Sequence, residues 1–250
     1  MRAFAEGCGG QMIIVREPVP DWNAPDHAVY GMWRVQMELV RKFRRDGRPF
    51  WYIDNGWFRN IGEREIERRW YRVTRNGMAP RLLPGRTMDR AGMFHVKIQP
   101  WRTGGRHVLV CLPYNQEFAK GFGVDYSQWL TGLQRLLPTI TDRPIKWREK
   151  PRDVTKIQPL AVALQDAWCL VTHSSNAAVE AALMGVPVFC EPTCGAAMVG
   201  CADFTKIEDP VRPDNREEWI ASLMWQQFSL AEFRSGLAWK TLADGWKNAA

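Results

Sequence analysis

At 250 residues, 46% of them hydrophobic, the chain can bury one large core or two smaller ones, which makes a globular α/β protein the default. No stretch approaches twenty uncharged apolar residues, and the N-terminal MRAFAEGCGGQ lacks the apolar core of a signal peptide, so a soluble, cytoplasmic protein without a membrane partner is expected. The net charge of +7 is unevenly placed: residues 151–250 hold 8 of the 34 Lys+Arg and 12 of the 27 Asp+Glu, leaving 26 basic against 15 acidic residues in the first 150.

In chain order, Met12–Val15 reads as a short strand and Glu17–His27 as a proline-rich surface loop. Ala28–Arg45 has the helical spacing of Tyr30, Trp33, Met37, Val40 and Arg41, with a basic C-terminal end. Pro49–Ile53 reads as a strand that halts at a turn, Asp54-Asn55-Gly56. From Arg59 to Arg90 nine arginines occur without a lysine, interleaved with Trp57, Phe58, Trp70 and Tyr71. Arginine forks suit phosphates and aromatic faces suit bases, which makes Arg59, Arg68, Arg69, Arg72, Arg75 and Trp57 candidate nucleic-acid contacts. The same segment also reads as a solvated charged helix partnered by Glu63, Glu65 and Glu67. Trp70–Asn76 is strand-like, followed by a Gly- and Pro-broken stretch and the run His95–Gln99.

A boundary is expected near Arg102–Arg106, giving a basic lobe over 1–104 and a second lobe over 105–250. In the second, His107–Leu112 is a buried strand, Tyr126–Leu137 an amphipathic helix, Ile145–Arg148 a strand and Pro159–Asp166 a helix. Asn215–Phe228 reads as a helix, and Ser229 with Glu232 forms a capping-box pattern before a final one. The six cysteines show no CxxC pair, and the spacing of Cys190, Cys194 and Cys201 is unlike common zinc patterns, so no metal is expected.

The most telling stretch is VTHSSNAAVEAALMGVPVFCEP, Val171–Pro192. Ala167–Val171 is short enough for a buried strand, Thr172–Asn176 supplies side-chain donors and an N-cap, Ala177–Met184 continues as helix, and Gly185 and Pro187 end it before a second strand. The start of such a helix favours an anion, with Ser174 and Ser175 adding hydroxyls. Glu180, one turn beyond Asn176, can face the same crevice as Ser175 and His173, where an acid could grip ribose hydroxyls. An ordinary capped helix with a histidine packed beneath it uses the same residues.

In order and spacing this stretch resembles the nucleotide-binding half of GT-B glycosyltransferases. Arg143–Pro151 looks like the strand in several such families that ends in a basic residue aimed at phosphates. The segments YIDNGWF and YRVTRNG, with the ending WxxxLMWQQFSLAEFRSGLAW, look like a group of phage-encoded glycosyltransferase-like proteins. The resemblance implies two Rossmann-like lobes facing a crevice, the first one short, with a terminal helix crossing back. It implies sugar transfer from a nucleotide-diphosphate donor such as a UDP-sugar, with no further cofactor. It also implies a hydroxymethylated pyrimidine, hydroxymethylcytosine or hydroxymethyluracil, in double-stranded phage DNA as acceptor. On that reading Arg148, Lys150, His173, Ser174, Ser175, Asn176 and Glu180 hold the donor. Asp54 is the general base, with Asp26 and His27 in reserve, although an aspartate before Asn-Gly is also an ordinary turn former. A catalytically silent DNA-binding protein, or a transferase acting on a polysaccharide or small molecule, are the alternatives.

Overall fold

The computed structural model describes residues 1–10, 12, 27–58, 65–112, 123, 125–149 and 158–247. Asp26, Arg59 and Lys150, the rest of the strand expected at Met12–Val15 and most of the proline-rich loop lie outside the described residues. The described elements are α1 (Arg2–Cys8), β1 (His27–Tyr30), α2 (Arg34–Arg45), β2 (Phe50–Asn55), β3 (Trp70–Arg75), α3 (Ala91–Phe94), β4 (His107–Cys111), α4 (Tyr126–Ile140) and β5 (Ile145–Arg148). They continue as α5 (Leu160–Ala163), β6 (Ala167–Thr172), α6 (Ala177–Leu183), β7 (Val188–Cys190), α7 (Arg216–Met224), β8 (Gln227–Ser229), α8 (Leu230–Arg234) and α9 (Leu237–Lys247). The fold is α/β and divides into two compact units: 1–94 with 220–250 and Gly123, and 95–116 with 124–219.

The first unit carries a mixed sheet in the order β1-β2-β3-β8, with β1 parallel to β2 and the other pairs antiparallel. Alternation along β2 feeds two cores. Phe50 and Tyr52 pack with Val29, Met37, Val40 and Phe43 on the α2 side, and Trp51 and Ile53 pack with Tyr71, Val73, Phe4, Phe228 and Phe233 on the other.

Three expectations are corrected in this unit. The helix expected over Ala28–Arg45 begins only at Arg34, because Ala28–Tyr30 pairs with Trp51–Ile53 and Gly31, at φ 82°, turns the chain before α2. Asp54 and Asn55 are not a turn but the end of β2, held in the ladder opposite Arg72 and Tyr71. The helix expected through Phe228 stops at Met224, and Gln227–Ser229 pairs with Trp70–Arg72 instead. The capping box is present: Ser229 accepts from the Glu232 amide, and Glu232 accepts from the Ser229 amide. Gly236, at φ 78°, breaks the final helix into α8 and α9.

The second unit carries a wholly parallel sheet in the order β5-β4-β6-β7. Val108, Val110, Cys169, Val171 and Phe189 pack against Leu133 and Leu137 of α4. The helix expected over Pro159–Asp166 is helical only at Leu160–Ala163, and His95–Gln99 forms no strand. Gly185 ends α6 at φ 75°, and a Cβ there would lie 1.9 Å from the Pro100 carbonyl oxygen. That close approach is held by hydrogen bonds from the Gln99 amide to Leu183 and from the Arg102 amide to Gly185.

Candidate functional site

The second unit's sheet has a topological switch point. The chain leaves β4 for β5 on one side, and the strand after that, β6, lies on the other. Open α/β sheets bind ligands outside the C-terminal strand ends at such a point. Thr172, the last residue of β6, ties the two strand ends together by donating its hydroxyl to the Cys111 carbonyl at 2.6 Å.

Beyond Thr172 the chain turns tightly. The Ser175 amide donates to the Thr172 hydroxyl at 3.3 Å, and the Ala177 amide donates to the Ser175 hydroxyl at 3.3 Å. Ser174, Ser175 and Asn176 are half-buried, and Asn176 stands at the N-cap of α6. The Ser175 hydroxyl donates to no described residue, and Ser174 Oγ has no bond to one.

His173 continues the α4-facing side of β6 and is 3% exposed. Its ring meets the Trp129 ring edge-on, 5.4 Å between centroids, and neither ring nitrogen is bonded to a described residue. Burial holds its pKa below the usual histidine range, so the imidazole is neutral at neutral pH. Trp129 is fixed in turn: Nε1 donates to Glu191 Oε1 at 2.9 Å, and the Tyr126 ring stacks on it. The Glu191 amide donates to the His173 carbonyl at 3.1 Å. Trp129 and Glu191 escaped the sequence reading. The available signal was position, since Glu191 directly follows β7 at the same sheet edge.

Arg148 ends β5, where its guanidinium donates to the Gln158 carbonyl at 2.6 Å. Glu180 is exposed on α6. Both act on Cys111 at the end of β4, whose thiol burial pushes up to about 12, with Arg148 opposing and Glu180 adding to the shift. Arg148 at the end of β5 and His173, Ser174 and Ser175 beyond the end of β6 thus lie at the C-terminal edge of one parallel sheet.

In the first unit the expected residues are engaged with one another. Asp54 is 5% exposed; its Oδ2 accepts from Arg72 Nη2 at 3.0 Å and its Oδ1 from the Asn55 amide at 2.8 Å. The Tyr52 hydroxyl lies 3.5 Å from the same carboxylate, and burial pushes that phenol well above its usual range, Asp54 adding to the effect. Trp57, expected as a stacking face for bases, is 2% exposed and lies under the Arg72 guanidinium. A ring so covered offers no face to a base. His27 is buried, its ring 4.7 Å from Phe43. Arg75 lies over Trp51, Arg68 pairs with Glu65, and Arg69 is exposed. Of the charged helix offered as the other reading of this segment, the described residues show only one 3-10 turn, Ile66–Arg68, before the strand Trp70–Arg75, and Glu67 pairs with Arg234 through two hydrogen bonds.

Among the described residues no group of three His, Cys, Asp or Glu is placed to hold a metal ion, and no helix is long and apolar enough to cross a membrane. No family model matches the chain. No curated protein matches it in sequence. Among solved structures, it is similar to Thermosulfurimonas dismutans KpsC, beta Kdo 2,4 transferase, at 15% identity over 78% of each chain, with a TM-score of 0.49.

Proposed function

We propose that this protein is a glycosyltransferase whose second unit holds a nucleotide-diphosphate sugar at the switch point between β4 and β6. The observation that carries the reading is the turn Thr172–Asn176 at that edge, where the half-buried Ser174 and Ser175 hydroxyls donate to no described residue beside a buried histidine whose nitrogens no described residue occupies. In this reading Ser174 and Ser175 donate to the diphosphate, Arg148 and Lys150 offset its charge, and Glu180 accepts from the ribose hydroxyls. Fixed donors at a departing diphosphate lower the barrier because charge accumulates there as the glycosidic bond breaks.

The acceptor in this reading is a hydroxyl, and duplex DNA carrying hydroxymethylated pyrimidines is the acceptor favoured by the excess of 26 basic over 15 acidic residues in the first 150. Asp54 serves as its base once the acceptor hydroxyl takes the place of Arg72 on the carboxylate. Titration calorimetry with UDP and the other nucleoside diphosphates tests the donor half; binding lost in Ser174→Ala/Ser175→Ala is the expected result, and no binding of any nucleotide removes the reading. Mass spectrometry of hydroxymethylated DNA, incubated with the protein and a panel of nucleotide sugars, tests the acceptor half through the mass gained.

A further inference from the structure

Most arginines that the sequence offers to a polyanion in residues 68–90 are already used. Arg72 is paired with Asp54, Arg90 with Glu232, and Arg75 and Arg86 lie over Trp51 and Trp225. The basic residues of α2 differ. From Arg34 to Arg48 the chain carries six basic residues against two acids, Glu38 and Asp46. The buried side of the helix, Met37, Val40 and Phe43, is consumed by the unit's own core, which turns Arg34, Arg41, Arg44 and Arg45 outward as exposed residues. Asp46 takes Lys42 at 2.7 Å and Arg45 at 3.0 Å, yet the Arg45 side chain stays 74% exposed. Arg34 and Arg44 make no bond to a described residue.

Five of the six cations are arginines, whose planar fork matches two phosphate oxygens at once. Arg34 and Arg45 lie eleven residues apart, about 16 Å along the helix at 1.5 Å per residue. Such a row can follow several successive backbone phosphates, which carry one charge per about 1.7 Å of duplex. A lipid surface fits less well. A helix that lies in a bilayer interface needs a free apolar face. Here that face is spent inside the unit, and Trp33, 75% exposed at the helix start, is the large apolar side chain left outside on this element.

We propose that the exposed side of α2 is a docking surface for the phosphodiester backbone of nucleic acid, with Arg34 and Arg45, which share a face of the helix, as its principal contacts and Arg44 on their flank. The proposal does not require sugar transfer, because it concerns binding without a donor.

The test is fluorescence anisotropy of the intact protein with a labelled random-sequence duplex across a salt series, beside anionic phosphatidylserine vesicles. The wild-type protein is expected to bind duplex, with affinity falling steeply as salt rises. Arg34→Gln/Arg44→Gln/Arg45→Gln should weaken binding about tenfold or more at about 0.1 M salt, and should reduce the slope of log affinity against log salt by 2 to 3, each phosphate contributing about 0.9. The corresponding triple lysine variant should stay within a few-fold of wild type, and Arg68→Gln/Arg69→Gln should lose less affinity than the α2 triple variant. The single variant Arg45→Gln, at so exposed a position, keeps the experiment decisive if the triple variant misfolds, with a slope reduction near 1 expected. No binding by the wild type, unchanged slopes in the glutamine variants, a larger loss in the 68/69 variant, or binding to vesicles but not to duplex would each overturn the proposal.

Discussion

Asp54 and His173 stand at equivalent places, at the C-terminal ends of strands in their respective sheets, and both are almost fully buried, at 5% and 3% exposed. The carboxylate has both oxygens filled, by Arg72 and by the Asn55 amide. The imidazole has a tryptophan edge against its ring and no hydrogen bond to a described residue. Bonds made within the protein mark the carboxylate first as structure, whereas the imidazole nitrogens are left without a described partner. The same contrast extends to neighbours. Around Asp54 the charges close on each other, whereas around His173 the Ser174 and Ser175 hydroxyls donate to no described residue.

The largest expected effect lies where the first unit is most tightly closed. Arg90 is 4% exposed, with Trp70, Phe94, Trp225 and Phe228 around its guanidinium and Glu232 Oε1 at 2.7 Å. Glu232 also caps α8. Glu232→Ala should therefore cost about 3–5 kcal/mol, because it strands a buried cation, measured by urea denaturation. Arg90→Met should cost less, since an apolar side chain suits the aromatic surround and the carboxylate keeps its capping role. Equal losses would mean that charge pairing is not what holds this region.

Asp54 should follow as the next largest. Asp54→Ala leaves Arg72 without its carboxylate over Trp57 and is expected to cost about 3 kcal/mol, while Asp54→Ala/Arg72→Met should recover part of that loss. The double variant separates structure from chemistry. If it folds well and still transfers sugar, Asp54 is not the base; a folded protein with transfer abolished keeps the assignment.

The elements around the candidate site in the second unit were more legible in the sequence than those of the first unit, for a physical reason. From Ala167 to Cys190 every signal is local: an apolar run, a polar turn, Gly185 at positive φ and Pro187 barring the helix. The structure has the strand, turn, helix and strand in that order. The Ser229–Glu232 capping box is local in the same way. The pairing of Asp54 with Arg72 depends on the register of β2 against β3, and the strand Gln227–Ser229 exists only because Trp70–Arg72 lies beside it. Neither can be read from neighbouring residues. Ala28–Tyr30 failed differently, since Tyr30 and Trp33 fit the helical period and only the parallel partner Trp51–Ile53 decides the matter.

Opening the other side of the comparison should change binding rather than stability. Ser174→Ala/Ser175→Ala removes hydroxyls whose bonds inside the protein amount to one amide contact, so a stability change within about 1 kcal/mol is expected. Nucleoside diphosphate binding should fall about tenfold or more, read by calorimetry. A stability loss near that of Asp54→Ala would place these serines with the closed charges of the first unit.

The smallest effect tests His173 itself. Its folded pKa is depressed by burial below the ordinary value of about 6.5, so the neutral ring is the native form. Stability is then fully present above the unfolded pKa and is lost as pH falls toward the folded one, at no more than about 1.4 kcal/mol per pH unit for one proton. His107, lowered by burial and by Lys146, contributes with the same sign. The carboxylates lowered by their partners, Asp46, Glu67, Asp166 and Asp203, lose their pairing only at more acid pH. Thermal melts from pH 7 to 5 should show a shallower decline in His173→Gln than in wild type. Equal declines would mean that His173 takes its proton without cost, through water or a neighbouring acceptor, and the contrast with Asp54 would then be one of solvent access rather than of an unfilled place.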